Sequence, residues 1–95
     1  MNSVKLKNLS NTRRKRLRFR SWHRGTKEMD LLMGSFADTH LPAFGSDELD
    51  LYEALLDVPE PVVYDWILGR AAPPADHDHG VTKLLLAFEF QPPGR

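Results

Sequence analysis

Three groups of residues have types and spacings that could do chemistry. Within Ser21–Asp30, Arg24 and Gly25 are followed by Glu28 and Asp30, which would put a cation and two carboxylates around a tight turn. Glu28 and Asp30 suggest a general acid/base pair, but two residues apart on a helix they point in different directions. Asp76-His77-Asp78-His79 places four metal-ligand types in a row. Consecutive loop residues cannot all face one ion, and no later histidine completes a set, so a solvated loop outweighs a metal site. His40 lies on an apolar helical face and Tyr52 and Trp66 stand at core spacing, so packing outweighs ligation or cofactor stacking for all three. The sequence has no Gly-rich phosphate loop, nucleophile elbow or His-Glu zinc signature, and no cysteine for thiolate chemistry or disulfides. The expectation is no catalytic residue and no metal. The residues of the Arg-Gly-x-x-Glu turn then read in two ways: as a contact surface for another protein, or as local structure in which Gly25 closes a helix while Arg24 and Glu28 pair with each other or cap helices.

The elements that position this turn are helical. A basic helix is expected over about Arg13–Arg24, with Asn11 or Thr12 as its N-cap and Leu17, Phe19 and Trp22 as a thin apolar stripe. Its arginines stay wet and lay their stems on apolar surface. Gly25 is placed at the left-handed position after a helix C-terminus. Thr26 caps the next helix, where Met29, Leu32, Met33, Phe36, Ala37, His40 and Leu41 follow helical periodicity without a miss until Pro42. A short loop, Pro42–Gly45, leads to Ser46 as the N-cap of a third helix that presents Leu49, Tyr52, Leu55 and Leu56. After a two-proline break, Pro61 suits the first position of a fourth helix with Val62, Val63, Trp66 and Ile67 inward, closed by Gly69. Beyond the Arg70–His79 loop, Val81, Leu84, Leu85 and Phe88 keep helical spacing. An alternation of Leu86, Phe88 and Phe90 as a strand is weaker, since no other strand is available to pair with it. The expected fold is all-α: a small compact bundle of about five short helices. Residues 1–11 are expected to be a flexible basic tail, 12–90 one helical domain and 91–95 a C-terminal tail.

The chain has 95 residues with no net charge, 41% apolar and 27% charged, which is ordinary for one globular domain. The neutrality hides a division: residues 1–27 carry ten Lys or Arg and no acid, and all thirteen acids follow. A basic stripe of Arg13, Arg14, Lys15, Arg16, Arg18, Arg20, Arg24 and Lys27 before a turn raises nucleic-acid binding. The helix after Gly25, however, carries Glu28, Asp30 and Asp38, which a phosphate backbone repels, so only non-specific contact by the first helix would remain. The longest apolar run, Leu84–Phe88, is five residues, far short of the roughly 20 needed to span a bilayer. The expected compartment is the bacterial cytoplasm, or the mitochondrial matrix in a eukaryote. No homodimer seam stands out, and the free protein is expected to be a monomer.

At Arg24-Gly25-x-x-Glu28-x-Asp30 the sequence resembles the succinate dehydrogenase assembly factor family, small helical proteins that promote covalent flavin attachment. The resemblance covers about Arg13 to Phe90. Beyond the motif it takes in the basic first helix, Phe36 and His40-Leu41, then Leu55-Leu56-Asp57-Val58-Pro59-Glu60-Pro61 and Tyr64-Asp65-Trp66-Ile67. Met29 stands where the family often has Leu, and Val62 where it often has a second acid. The resemblance implies a binding factor for the flavoprotein subunit of succinate dehydrogenase, with fumarate reductase as a further client. FAD and the acceptor histidine would both belong to that subunit, with no cofactor held stably here. Arg24, Gly25, Glu28 and Asp30 would be the partner-binding residues, with Gly25 allowing close approach of backbones and Asp30 supporting the other two. An antitoxin-like regulatory interaction is the alternative reading.

Overall fold

The structure, a computed structural model, describes the backbone of residues 2–89 and the side chains of residues 11–89. Five helices form: α1 (Asn2–Trp22), α2 (Lys27–His40), α3 (Ser46–Leu56), α4 (Glu60–Ile67) and α5 (Gly80–Ala87). Single 3₁₀ turns lie at Leu41–Ala43 and Ala75–His77. No strand occurs among the described residues, so the all-α bundle expected from the sequence is what the chain adopts. Phe90 and the expected C-terminal tail, residues 91–95, lie outside the described residues.

The core centres on α2, whose Met29, Met33, Phe36 and Ala37 are buried as their spacing predicts. Phe36 is its aromatic hub, 5.6 Å from the ring centroids of both Tyr52 and Phe88 and 6.3 Å from Phe44. Phe44, in a stretch expected to be only a loop, is buried here because the 3₁₀ turn after α2 folds it inward. His40 packs at the edge of this cluster, 4.6 Å from Phe36. Leu49, Tyr52, Leu55 and Leu56 supply α3's buried face, Val63 and Trp66 that of α4, and Val81 and Leu85 that of α5.

Several boundaries differ from the sequence reading. Helix α1 begins at Asn2 and not near Arg13, because no glycine or proline precedes Gly25 to stop a helix from propagating. It ends at Trp22, so Asn11 and Thr12 are interior residues. Ser46 is α3's first helical residue; Gly45 takes the cap position, and its N–H donates to Glu48 Oε1 at 2.9 Å. Pro61 follows Glu60 as the second residue of α4. Gly69 closes α4 as expected: at φ +77° it donates to Trp66 O, while Arg70 N donates to Asp65 O. Val62 and Leu84, placed inward by spacing, are partly exposed, because these short helices bury only a narrow face.

The first helix differs most in its packing. Of its expected apolar stripe only Leu17 is fully buried; Phe19 is 62% exposed, on the side of the helix opposite Leu17. Ser21 is the other buried residue among the described side chains of α1. Its hydroxyl donates to Leu17 O at 2.8 Å, so the 2.7 Å contact with Tyr52 Oη must be donated by the tyrosine. Burial pushes the Tyr52 phenol up to about 12. Trp22 lies flat on α2 at Gly34, where an added Cβ would overlap the fused bond of the indole. Gly34 thus trades about 1 kcal/mol of helix propensity for the close approach of α1. We expect Gly34→Ala to destabilise the protein by about 1–3 kcal/mol in a urea melt despite alanine's better propensity. A neutral or stabilising result would show that Trp22 can move aside freely.

The 70–79 loop is anchored by its histidines. His77 lies 5.6 Å from the Trp66 ring and 6.2 Å from the His79 ring. His79 is the N-cap of α5: its Nδ1 accepts from Thr82 N at 3.3 Å. Burial, with help from His77, holds the His79 pKa below its usual value, against Asp78. The unfolded chain therefore takes up this proton at a higher pH than the folded chain does. Stability is full above the unfolded pKa of about 6.5 and is lost as pH falls through the lower folded pKa. Asn can accept the same cap bond without titrating. Denaturation midpoints between pH 7.5 and 5 should therefore fall less for His79→Asn than for the parent; equal slopes would assign the acid sensitivity elsewhere.

Candidate functional site

The turn between α1 and α2 is built by hydrogen bonds that converge on its backbone. Asp30, one turn into α2, accepts at a single oxygen, Oδ1, from Arg24 N at 2.5 Å and Gly25 N at 3.2 Å. Thr26 is the N-cap, as its type and position predict: its hydroxyl oxygen accepts from Met29 N at 3.2 Å and donates its proton to Glu60 Oε2 at 2.8 Å. Glu28 and Asp30 stand in the first turn of α2, where the helix dipole favours carboxylates. They serve different partners and form no acid/base pair.

Gly25 is not the left-handed residue that closes α1. The helix stops at Trp22, and Gly25 lies further on with φ +128°, a more extended conformation that L side chains rarely adopt. A Cβ there would also stand 2.9 Å from Glu60 Oε1. The glycine is needed because the backbone bends through a positive φ; the Glu60 carboxylate above it is the end of a flexible side chain.

Arg24 is turned inward. Its guanidinium donates to Leu56 O at 2.7 Å and Val58 O at 3.1 Å, satisfying carbonyls at and just beyond the C-terminus of α3. Its Nε is buried without a partner. The sequence reading had presented Arg24 and Glu28 together on the surface. The structure instead makes Arg24 a half-buried latch and leaves Gly25 and Glu28 exposed. Glu28 reaches across to α4, where its Oε1 accepts from Tyr64 Oη at 2.9 Å. That bond is the main reason the Tyr64 phenol is pushed above its ordinary range, with desolvation adding to it.

Sequence reasoning missed Glu60, Tyr64 and the two carbonyls that Arg24 holds. These lie 32 to 36 residues from the motif, beyond any local periodicity. The one available signal was that the Leu55–Pro61 and Tyr64–Ile67 stretches share the motif's family resemblance; the structure shows that they are what the turn docks on. Between α2 and α4 runs a groove of about 450 Å³ lined by Lys27, Glu28, Leu31, Leu32, Tyr64, Ile67 and Leu68. A smaller recess of about 250 Å³, bounded by Thr26, Glu28, Met29, Glu60, Pro61 and Tyr64, adjoins it.

The other candidates resolve into structure. Among the described residues, no group of three or more His, Asp or Glu side chains converges as a metal site would require. His77 and His79 come together, but the Nδ1 of His79 is committed to the α5 cap. The basic stripe turns largely to the chain's own acceptors. Arg13 pairs with Asp50 and Glu53, Arg18 with Asp38 and Arg20 with Asp57, while Arg14 donates to Leu41 O and Phe44 O. No helix among the described residues is long and apolar enough to cross a membrane.

Residues 15–89 match the profile of a family described as flavinator of succinate dehydrogenase. The chain is 41% identical over 64 residues to the FAD assembly factor SdhE of Acetobacter pasteurianus, covering 67% of this chain and 59% of that one. It is 39% identical over 72 residues to the mitochondrial succinate dehydrogenase assembly factor 2 of Dictyostelium discoideum, covering 76% and 51% respectively. A third relative, the FAD assembly factor SdhE of Coxiella burnetii, is 36% identical over 50 residues, covering 53% and 61%. The chain thus spans less than two thirds of the length of these relatives. No solved structure matches the chain.

The geometry of the turn separates backbone demand from side-chain demand. Gly25→Ala should cost about 1–3 kcal/mol, through its positive φ. Gly80→Ala, at the start of α5 with open space around it, should be neutral or slightly stabilising. Chemical denaturation of the two variants side by side makes the comparison, and equal costs would remove the special status of Gly25.

Proposed function

We propose that this chain, which belongs to the family of flavinators of succinate dehydrogenase, binds the flavoprotein subunit of that enzyme and promotes covalent attachment of FAD to it. The observation that carries this reading is the family match across residues 15–89, which takes in the turn and the α3–α4 segment it docks on. Two relatives named as FAD assembly factors and one named as a succinate dehydrogenase assembly factor support it. The chemistry belongs to the partner, which carries both the flavin and the histidine that accepts it. The factor acts by preferring the subunit conformation in which the two meet productively, so its binding energy shifts the population toward that state. It works as a monomer, holds no cofactor stably and is not itself an enzyme. Its compartment is that of its client, the bacterial cytoplasm or the mitochondrial matrix.

Within this reading the four motif residues divide by role. Gly25 and Glu28 are exposed and meet the partner, the glycine by close backbone approach and the glutamate through its carboxylate. Arg24 and Asp30 are positioning residues that fix the turn from within. The test is to express the flavoprotein subunit with and without this protein and to read covalent flavin by in-gel fluorescence after denaturation. Fluorescence should rise severalfold when the factor is present; equal signals in both would sink the reading. Glu28→Ala should keep the parent's melting curve yet lower flavinylation. Arg24→Lys, whose single ammonium cannot fork across two carbonyls, should lose about 1–3 kcal/mol of stability as well.

A further inference from the structure

The groove between α2 and α4 is larger than the recess that adjoins it at Glu28 and Tyr64, and it has no occupant within the described fold. Leu31, Leu32, Ile67 and Leu68 wall it, and Leu68 is 45% exposed. Its volume falls in the range of sites that seat a ligand or a side-chain cluster. Polar groups gather at the end nearest the turn. Glu28, held by Tyr64, divides the groove from the recess where Glu60 stands, and both of these side chains are carboxylates. Lys27 is the one cation on the lining, against two acids around the Glu28–Tyr64 pair.

We propose that this groove is a second contact with the flavoprotein subunit, taking an apolar segment of it that carries a lysine or arginine. The apolar side chains would fill the leucine-walled groove, while the cation meets Glu28 where Tyr64 holds it. Two features argue for this occupant. Glu28 at the polar end of the groove, together with Glu60 in the adjoining recess, outnumbers Lys27, which complements a cationic, amphipathic segment and disfavours an acidic one. The groove also shares Glu28 with the turn, so a chain bound at the turn runs into it without a break. The inference rests on the function proposed above, and it makes Tyr64 and Leu68 partner-contact residues outside the Arg-Gly-x-x-Glu motif.

The test is direct binding of purified flavoprotein subunit to the full chain and to Leu68→Lys, Leu68→Glu and Tyr64→Phe, with melting curves to confirm that each variant folds. Leu68 is exposed, so either charge is compatible with the fold. Leu68→Lys should weaken binding about tenfold or more, Leu68→Glu distinctly less, and Tyr64→Phe by severalfold through release of Glu28. If the parent chain fails to bind the subunit, the proposed function falls. If the parent binds and all three variants bind equally well, the turn is the whole interface and the groove proposal alone falls. Equal losses from the lysine and glutamate variants would overturn the cationic occupant. Self-association of the parent that Leu68→Lys abolishes would make the groove a seam between two copies, which also overturns it.

Discussion

The structure depends on how a helix that fully buries a single apolar side chain, Leu17, among its described residues 11–22 is held to a bundle. Helix α1 commits Leu17 and Ser21 to the core and lays Trp22 over Gly34. The remaining attachment comes from arginines that find the ends of other helices. Arg14 bonds the carbonyls of Leu41 and Phe44, beyond α2, and Arg24, just past the end of α1, those of Leu56 and Val58, at and beyond the end of α3. Carbonyls at helix C-termini lack intrahelical partners and carry the negative end of the dipole, so a guanidinium fork satisfies both needs. The ion pairs with Asp38, Asp50, Glu53 and Asp57 are more exposed and contribute less individually. The charge division along the sequence is the two halves of this attachment.

This arrangement explains which parts of the molecule were legible in the sequence. Helix α2 was readable because burial on one face writes its period directly, and Thr26 because a cap bond spans three residues. The α3 face and the closure of α4 at Gly69 were readable for the same local reasons. The role of Arg24 was not, because nothing local distinguishes an arginine that bonds a distant carbonyl from one that faces solvent. Phe19 misled for a related reason: an aromatic in a sparse pattern looks like core until the opposite face is known to hold Leu17. Gly34 falls at a position that periodicity would assign to any small residue, and its purpose appears only with the indole of Trp22 above it. Gly25 was recognised as a turn, but its positive φ lies beyond the end of α1 and does not close that helix.

The candidate site inherits these features. Its backbone donors are already bonded to Asp30, its arginine to α3 and its glutamate to Tyr64, so the turn is shaped before any partner arrives. A surface preformed in this way loses little conformational freedom on binding, and more of its contact energy survives as affinity. The same economy separates two kinds of motif residue. Some are required because they touch the partner, others because they hold the shape that the partner recognises.

Arg14 lies within α1 and Arg24 two residues past its end at Trp22, ten positions further along the chain. Their side chains reach two different helix ends. A rod held at one point can swivel and roll; one held at two separated points, in two directions, can do neither. Helix α1 is thus indexed to the bundle in rotation as well as position. The Gly25 turn, at the far end of that rod, moves with the core as one rigid piece.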